Sequence, residues 1–197
     1  MAEPLDAAAL DRLFRQARTF TSWLDRPVSS DTLRAVADLA KLGPTSANSS
    51  PARFVFVVSL EAKGRLRPHL DEGNVRQTMS APATAIVGWD REFYEALGTL
   101  FPHEPEARSW FAGKPAAIEE TGFRNSSLQG AYLILAARAL GLDCGPMSGF
   151  DKAGVSETFF PGGRIRANFL INLGYGDRQR LHPRSPRFGF DEFCTIL

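Results

Sequence analysis

The chain has 197 residues, with 23 Lys and Arg against 22 Asp and Glu, for a formal net charge of +1. This length suits one domain with a full core, and 44% hydrophobic with 23% charged residues is ordinary globular composition. Near-neutral charge speaks against a nucleic-acid-binding or polybasic membrane-surface protein, and one skew remains, 15 Phe beside 3 Tyr and 3 Trp.

Leu5 to Arg18 places Leu5, Ala9, Leu10, Leu13, Phe14 and Ala17 on one face of a predicted helix. Asp31 to Leu42 repeats the pattern through Leu33, Val36, Ala37 and Ala40, with Ser30 or Asp31 as its cap. Gly43-Pro44 ends it, Gly43 being expected in the left-handed position past the last turn. A polar loop, Thr45 to Pro51, leads into Arg53 to Leu60, whose β-branched and aromatic run predicts a buried strand.

Glu61 to Leu70 predicts a short helix interrupted near Pro68. Ala83 to Trp89 predicts a central strand, and Arg91 to Phe101 a helix broken by Pro102 to Pro105. A compact aromatic-basic segment, Arg108 to Phe111, precedes a long helix from about Ala116 to Leu140, closed by Gly141. Its half from Leu128 to Leu140 is apolar on nearly all sides, as for a helix covered by a core or a second subunit. Asp151 to Phe160 predicts a further helix and Asn168 to Leu173 a strand. The residues from about 177 to 197 read as a Pro- and Arg-rich extended arm with a weak terminal helix. With no repeat and no composition break, the expectation is one α+β domain over residues 1–197 whose arm reaches a partner chain.

Several chemistries find no support. Cys144 and Cys194 form no CxxC pair, and His69, His103 and His182 form no HExxH, so neither a disulfide framework nor a metal site is expected. The N-terminal residues show no basic-then-apolar secretory pattern, and no apolar run reaches the ~20 residues that span a bilayer. A reducing cytoplasm is the expected compartment. Gly174-Tyr175-Gly176 lacks the third glycine of a dinucleotide fingerprint, and no tyrosine has a Lys four residues on. The run Gly145 to Gly149 is no nucleophile elbow, its serine standing one place too late.

Three segments, in order, carry a resemblance. Gly43-Pro-Thr-Ser-Ala-Asn-Ser-Ser-Pro51 runs straight into an apolar strand. Gly141-Leu-Asp-Cys-Gly-Pro-Met-Ser-Gly-Phe-Asp151 follows the long helix, and Asn168 to Gly176 is followed by Arg184 and Arg187. Together they resemble the FMN-dependent nitroreductase family across nearly the whole chain. Arg124 to Ile134, Gly145 to Asp151, Phe101-Pro-His103 and Ala107 to Phe111 resemble its malonic semialdehyde reductase branch.

The resemblance implies a mostly antiparallel sheet flanked by helices, in an intertwined homodimer acting on a small-molecule substrate without nucleic acid or membrane. It implies bound FMN, with NADH or NADPH passing hydride to flavin N5 and the substrate then taking it. Arg18 and Thr19, with Arg184 or Arg187, would hold the phosphate; read alone, Arg18 solvates a helix end and the tail arginines form a basic tail. Ser46, Asn48, Asn74 and Gln77 would meet the ribityl chain or the ring. Gln77 departs from the Lys common there and stabilises a reduced flavin less. Pro146, Met147, Ser148 and Gly149 would lie along the ring. For an aldehyde-acid, Arg108 and His103 are candidates for carboxylate anchor and proton donor, and Trp110 and Phe111 for the pocket wall. The alternatives are a broad nitro- or quinone-reductase and a flavin-binding protein without turnover.

Overall fold

The computed structural model describes residues 3–197. Four strands form one sheet in the order β1-β2-β4-β3, every neighbouring pair antiparallel. They are β1 (Ala52–Val57), β2 (Ala83–Asp90), β3 (Asp143–Met147) and β4 (Ile165–Gly174). Every residue of β2 is buried, as its uninterrupted apolar run requires of a strand covered on both faces. The register slips once, between Val87 and Gly88, where a Cβ on Gly88 would strike Ile165 and Phe160.

On one face of the sheet, α2 (Ser30–Ala40) and the 25-residue α6 (Pro115–Ala139) form the larger core with Val36, Ala85, Val87, Leu133 and Ile171. On the other face, α3 (Leu60–Leu66), α4 (Glu72–Ser80) and α7 (Lys152–Phe159) close a second core around Leu66, Ile86, Val155 and Leu170. α6 approaches the sheet closely because two of its residues lack side chains. A Cβ on Gly122 would fall 2.3 Å from the Trp89 ring, and one on Gly130 2.4 Å from that of Phe169. A third, smaller core of Phe93, Leu97, Ala107 and Phe111 lies under α5 (Leu97–Leu100) and the 3-10 turns at Phe93–Ala96 and Pro105–Trp110.

The first helix is one turn, α1 (Ala7–Leu10), that widens into a π turn at Asp11–Arg15, and Leu5 and Phe14 on its expected apolar face are 56% exposed. Ser29, not Ser30 or Asp31, caps α2, its Oγ accepting from the Thr32 N–H at 3.1 Å. Gly43 has no positive φ; glycine fits there because a Cβ would sit 2.6 Å from the Tyr132 ring. β1 is an edge strand with four half-buried residues, not a buried strand. Leu128 and Tyr132 on α6, and Leu140 just past its end, remain exposed, so its apolar second half is covered by the sheet and α2 but not on all sides.

At one end of the sheet Asp90 is 1% exposed and carries a carboxylate. Arg164 grips it with Nε and Nη2, both at 2.7 Å, Arg53 Nη2 lies at 2.9 Å, and the Glu92 N–H donates at 2.9 Å. Burial pushes the Asp90 carboxyl upward, but the Arg164 bonds, the Glu92 N–H and the two guanidinium charges outweigh it and hold the group below the ordinary range. A depressed carboxyl stabilises the fold above its unfolded pKa and loses that contribution as pH falls through its native value. Asp90→Asn is therefore expected to lower unfolding free energy by about 2 kcal/mol at pH 7 in urea titrations, with the difference from wild type shrinking below about pH 4.

Candidate functional site

The implied site residues fall into three groups, two of them joined by β3. In the first, Arg18, Thr19, Arg184 and Arg187 line one cavity of about 570 Å³ together with Arg138, Arg180 and His182. No Asp or Glu lines it. Arg184 Nη2 donates to the Arg15 and Ala17 carbonyls at 2.7 and 2.8 Å, Arg138 Nη1 to Leu13 at 3.1 Å, and Arg18 Nη2 to His182. Arg187 Nη1 donates to the Ser185 and Pro186 carbonyls. Arg180 alone among them forms an ion pair, with Asp177 at 3.4 Å. Carbonyls fix the guanidiniums without neutralising them, so the cavity suits a multiply charged anion such as a phosphate.

The second group is reached along β3, to which Thr19 is joined by a parallel bridge at Cys144. Pro146 and Ser148 are exposed and Met147 half-buried at the strand's far end. Residues 69–71 pair with 149–151: the Asp71 N–H donates to the Gly149 carbonyl at 3.2 Å and the Asp151 N–H to that of His69 at 2.7 Å. Asn74 Nδ2 donates to the same Gly149 carbonyl at 2.7 Å, Gln77 Nε2 donates to Asn74 Oδ1, and Trp23 Nε1 donates to the Gln77 carbonyl at 3.0 Å. A Cβ on Gly149 would fall 2.6 Å from Asn74 Nδ2 and 2.7 Å from Asp71 Oδ2, so glycine lets these side chains close on the backbone.

α4, which presents Asn74 and Gln77, is anchored from behind. Lys63, 6% exposed, donates through Nζ to the Ala81 and Met79 carbonyls at the helix C-terminus, where the helix dipole favours a cation. Burial lowers its pKa. Cys144 is fully buried in β3; burial first, and the Asp143 charge second, push its thiol up to about 12 against the pull of Arg138, so it is not a nucleophile at neutral pH.

The third group belongs to the other end of α6. Ser46 and Asn48 sit on a 3-10 turn whose polar groups are engaged internally: the Ser46 N–H donates to Asn125 Oδ1 at 2.8 Å and Asn48 Nδ2 to the Leu100 carbonyl at 2.7 Å. Nearby, Arg108 forks onto Glu95 through Nε at 2.8 Å and Nη2 at 2.7 Å. That bond holds the Glu95 carboxyl low and raises the Arg108 pKa. The His103 ring lies tilted against Phe101, centroids 4.0 Å apart, and Phe101 meets exposed Trp110 edge-on at 6.3 Å. Phe111 packs on Phe93 at 5.0 Å inside the third core, away from solvent.

Residues that sequence reasoning passed over are Arg138 and Arg180 in the cavity and Asn125 and Gln129 beneath the Ser46 turn. Asn125 and Gln129 stand four apart on one face of α6, but Asn125 is embedded in the polar run Arg124-Asn-Ser-Ser127, so nothing in the sequence singles it out. Among the described residues no cluster of His, Cys, Asp and Glu could hold a metal ion, and no helix is long and apolar enough to cross a membrane.

The profile of the nitroreductase family matches residues 3–175. A Burkholderia lata protein named as a candidate NADH dehydrogenase/NAD(P)H nitroreductase is 64% identical over 98% of both chains, and a Stenotrophomonas maltophilia protein of the same name is 59% identical over the whole of both. In fold, the chain resembles a candidate nitroreductase from Bacillus subtilis (TM-score 0.89, 20% identity, 98% of this chain and 100% of that one). It also resembles one from Exiguobacterium sibiricum solved in complex with FMN (TM-score 0.87, 19% identity, 100% of both chains). A family match over most of the chain, together with full-length relatives at these identities, makes this protein an oxidoreductase of the nitroreductase family.

Proposed function

We propose that the protein is a cytoplasmic, homodimeric, FMN-dependent NAD(P)H oxidoreductase that reduces a small aldehyde-acid, malonic semialdehyde, to 3-hydroxypropionate. The observation that carries the cofactor reading is the cavity where Arg18, Arg138, Arg184 and Arg187 gather without a carboxylate in the lining. Its charge fits the FMN phosphate, and the exposed end of β3 with Asn74, Gln77 and Gly149 supplies amide and backbone groups for the ribityl chain and ring. Bound FMN supplies the hydride relay between reduced nicotinamide and substrate, which is why the chain needs no glycine-rich dinucleotide pocket.

The dimer reading draws on exposed apolar surface. Phe123, Leu128 and Tyr132 on α6 are 38–50% exposed, and Phe188, Phe190, Phe193, Ile196 and Leu197 are all more than half exposed. Such side chains suit burial against a second copy, and that copy is a natural source for the Ser46 and Asn48 turn at the flavin. The phenylalanine excess has a use there, since Phe in a dry interface needs no hydrogen-bond partner.

For the substrate, Arg108 anchors the carboxylate once its fork opens from Glu95, and His103 donates the proton that the developing alkoxide requires. The Glu95 fork also favours a second reading, a broad nitro- or quinone-reductase in which Arg108 only braces its segment.

Three measurements test these statements. Arg18→Ala is expected to raise the dissociation constant for FMN about tenfold or more, since a hydrogen bond to a charged group contributes about 1.5–3 kcal/mol; an unchanged constant removes Arg18 from the phosphate site. Arg108→Ala is expected to cut kcat/KM for malonic semialdehyde about 30- to 100-fold while leaving a nitroaromatic within about threefold. Equal losses on both substrates select the second reading. In sedimentation the FMN-loaded protein is expected as a dimer, and a stable monomer retaining FMN refutes the shared site.

A further inference from the structure

The loop between α2 and β1 holds a conformation that its own residues disfavour. Ala47, Asn48 and Ser50 have φ of +52°, +48° and +41°, and they are all of the non-glycine residues with positive φ among those described. For Ala47 and Ser50 such a placement is disfavoured, less so for Asn48, and it persists only where the surroundings enforce it.

Asn48 Nδ2 on the Leu100 carbonyl and Arg53 Nη1 on the Ser50 carbonyl supply part of the enforcement, and one stripe of α6 supplies the rest. Asn125, Gln129 and Tyr132 stand at i, i+4 and i+7, on a single helix face. Asn125 is fully buried; its Oδ1 accepts from the Ser46 N–H at 2.8 Å, and its Nδ2 is held by the Thr121 carbonyl at 2.8 Å. Gln129, 4% exposed, accepts through Oε1 from the Ala52 N–H at 2.8 Å. The Tyr132 ring occupies the place a Cβ on Gly43 would take. The loop is thus held at its start, its middle and its end by one helix. Within it, Thr45 Oγ1 accepts from the Ser50 N–H at 3.1 Å, while the buried Ser49 Oγ has no hydrogen-bond partner.

We propose that Asn125 and Gln129 are positioning residues that clamp the Ser46–Ser50 loop in its strained shape, and that FMN binds the loop only in that shape. The proposal rests on the cofactor reading above and deepens it. In the proposed dimer helix α6 then serves two sites: Arg138 near its C-terminal end lines the anion cavity of its own chain, and Asn125 and Gln129 in its middle set the loop that is offered to the second copy's flavin. Removing the Asn125 side chain strands a main-chain N–H and releases the strain, so the loop relaxes while the sheet and the other cores stay intact.

The test compares wild type, Asn125→Ala and Asn125→Asp, the last, in the neutral form that full burial favours, keeping an acceptor for the Ser46 N–H and a donor for the Thr121 carbonyl. Amide exchange is followed in the FMN-free protein and FMN affinity by flavin fluorescence. In Asn125→Ala the Ser46 amide is expected to exchange about tenfold faster or more, with β2 amides unchanged and the FMN dissociation constant about tenfold higher or more. Asn125→Asp is expected to recover both to within about threefold. Faster Ser46 exchange without loss of FMN affinity overturns the proposal, as does a loss that Asn125→Asp fails to recover or an unchanged Ser46 amide. Absence of FMN affinity in wild type overturns the cofactor reading itself and leaves the clamp without a ligand to serve.

Discussion

The seat of α6 on the sheet is the constraint from which the site geometry follows. Two missing side chains, at Gly122 and Gly130, let the helix axis approach Trp89 and Phe169 to a distance that any Cβ would forbid. Once seated, the helix points its remaining faces in fixed directions. Asn125 and Gln129 meet the α2–β1 loop, Asn168 donates to Ser126 and Ser127, and Arg138 reaches the Leu13 carbonyl beside the N-terminal turn. A buried polar stripe in a helix is costly unless each group has a partner, and here the partners are the segments that the helix orders.

Charge is arranged by the opposite principle at the two ends of the molecule. At Asp90 a buried carboxylate is saturated by two guanidiniums and an N–H, and the assembly ties β1, β2 and the start of β4 together. Around Arg18 and Arg184 the guanidiniums meet carbonyls, so their charge stays available to an anion. One arrangement is closed and structural; the other is open. Net charge near zero conceals this, because surplus cation in one cavity is balanced by acids spread elsewhere.

What the sequence made legible was whatever rested on local pattern. α2, α6, α7, β2 and β4 follow from apolar periodicity, and all lie where that periodicity places them within a few residues. α4 was not legible: Glu-Gly-Asn-Val-Arg-Gln-Thr-Met-Ser has no apolar face, and its end is held by Lys63, a residue distant in sequence. β3 hid behind Gly145 and Pro146, which argue against a strand; Pro146 is tolerated because β3 is an edge. Gly43 reads as a turn former in sequence, yet it is required by a tyrosine on another helix. For the candidate site, family resemblance pointed to Arg18, Asn74, Gly149 and Arg184, whereas residues that hold the loop, such as Asn125, become visible only from contacts across the fold.

The strand order has a kinetic side. β1 and β2 precede α6 in the chain, β3 and β4 follow it, and each pair is adjacent in the sheet, so two antiparallel halves can form from nearby segments. They join along a single seam, β2 against β4, where Asp90 pairs with Ile165 and Ala83 with Leu173. Closing that seam draws the chain around α6 and its connecting turns, and the entropy of this long loop must be surrendered before the seam's hydrogen bonds return anything. The seam at the middle of the sheet is therefore its most non-local pairing, and Asp90, gripping Arg164 at the seam's end, fastens the two halves where the loop closes.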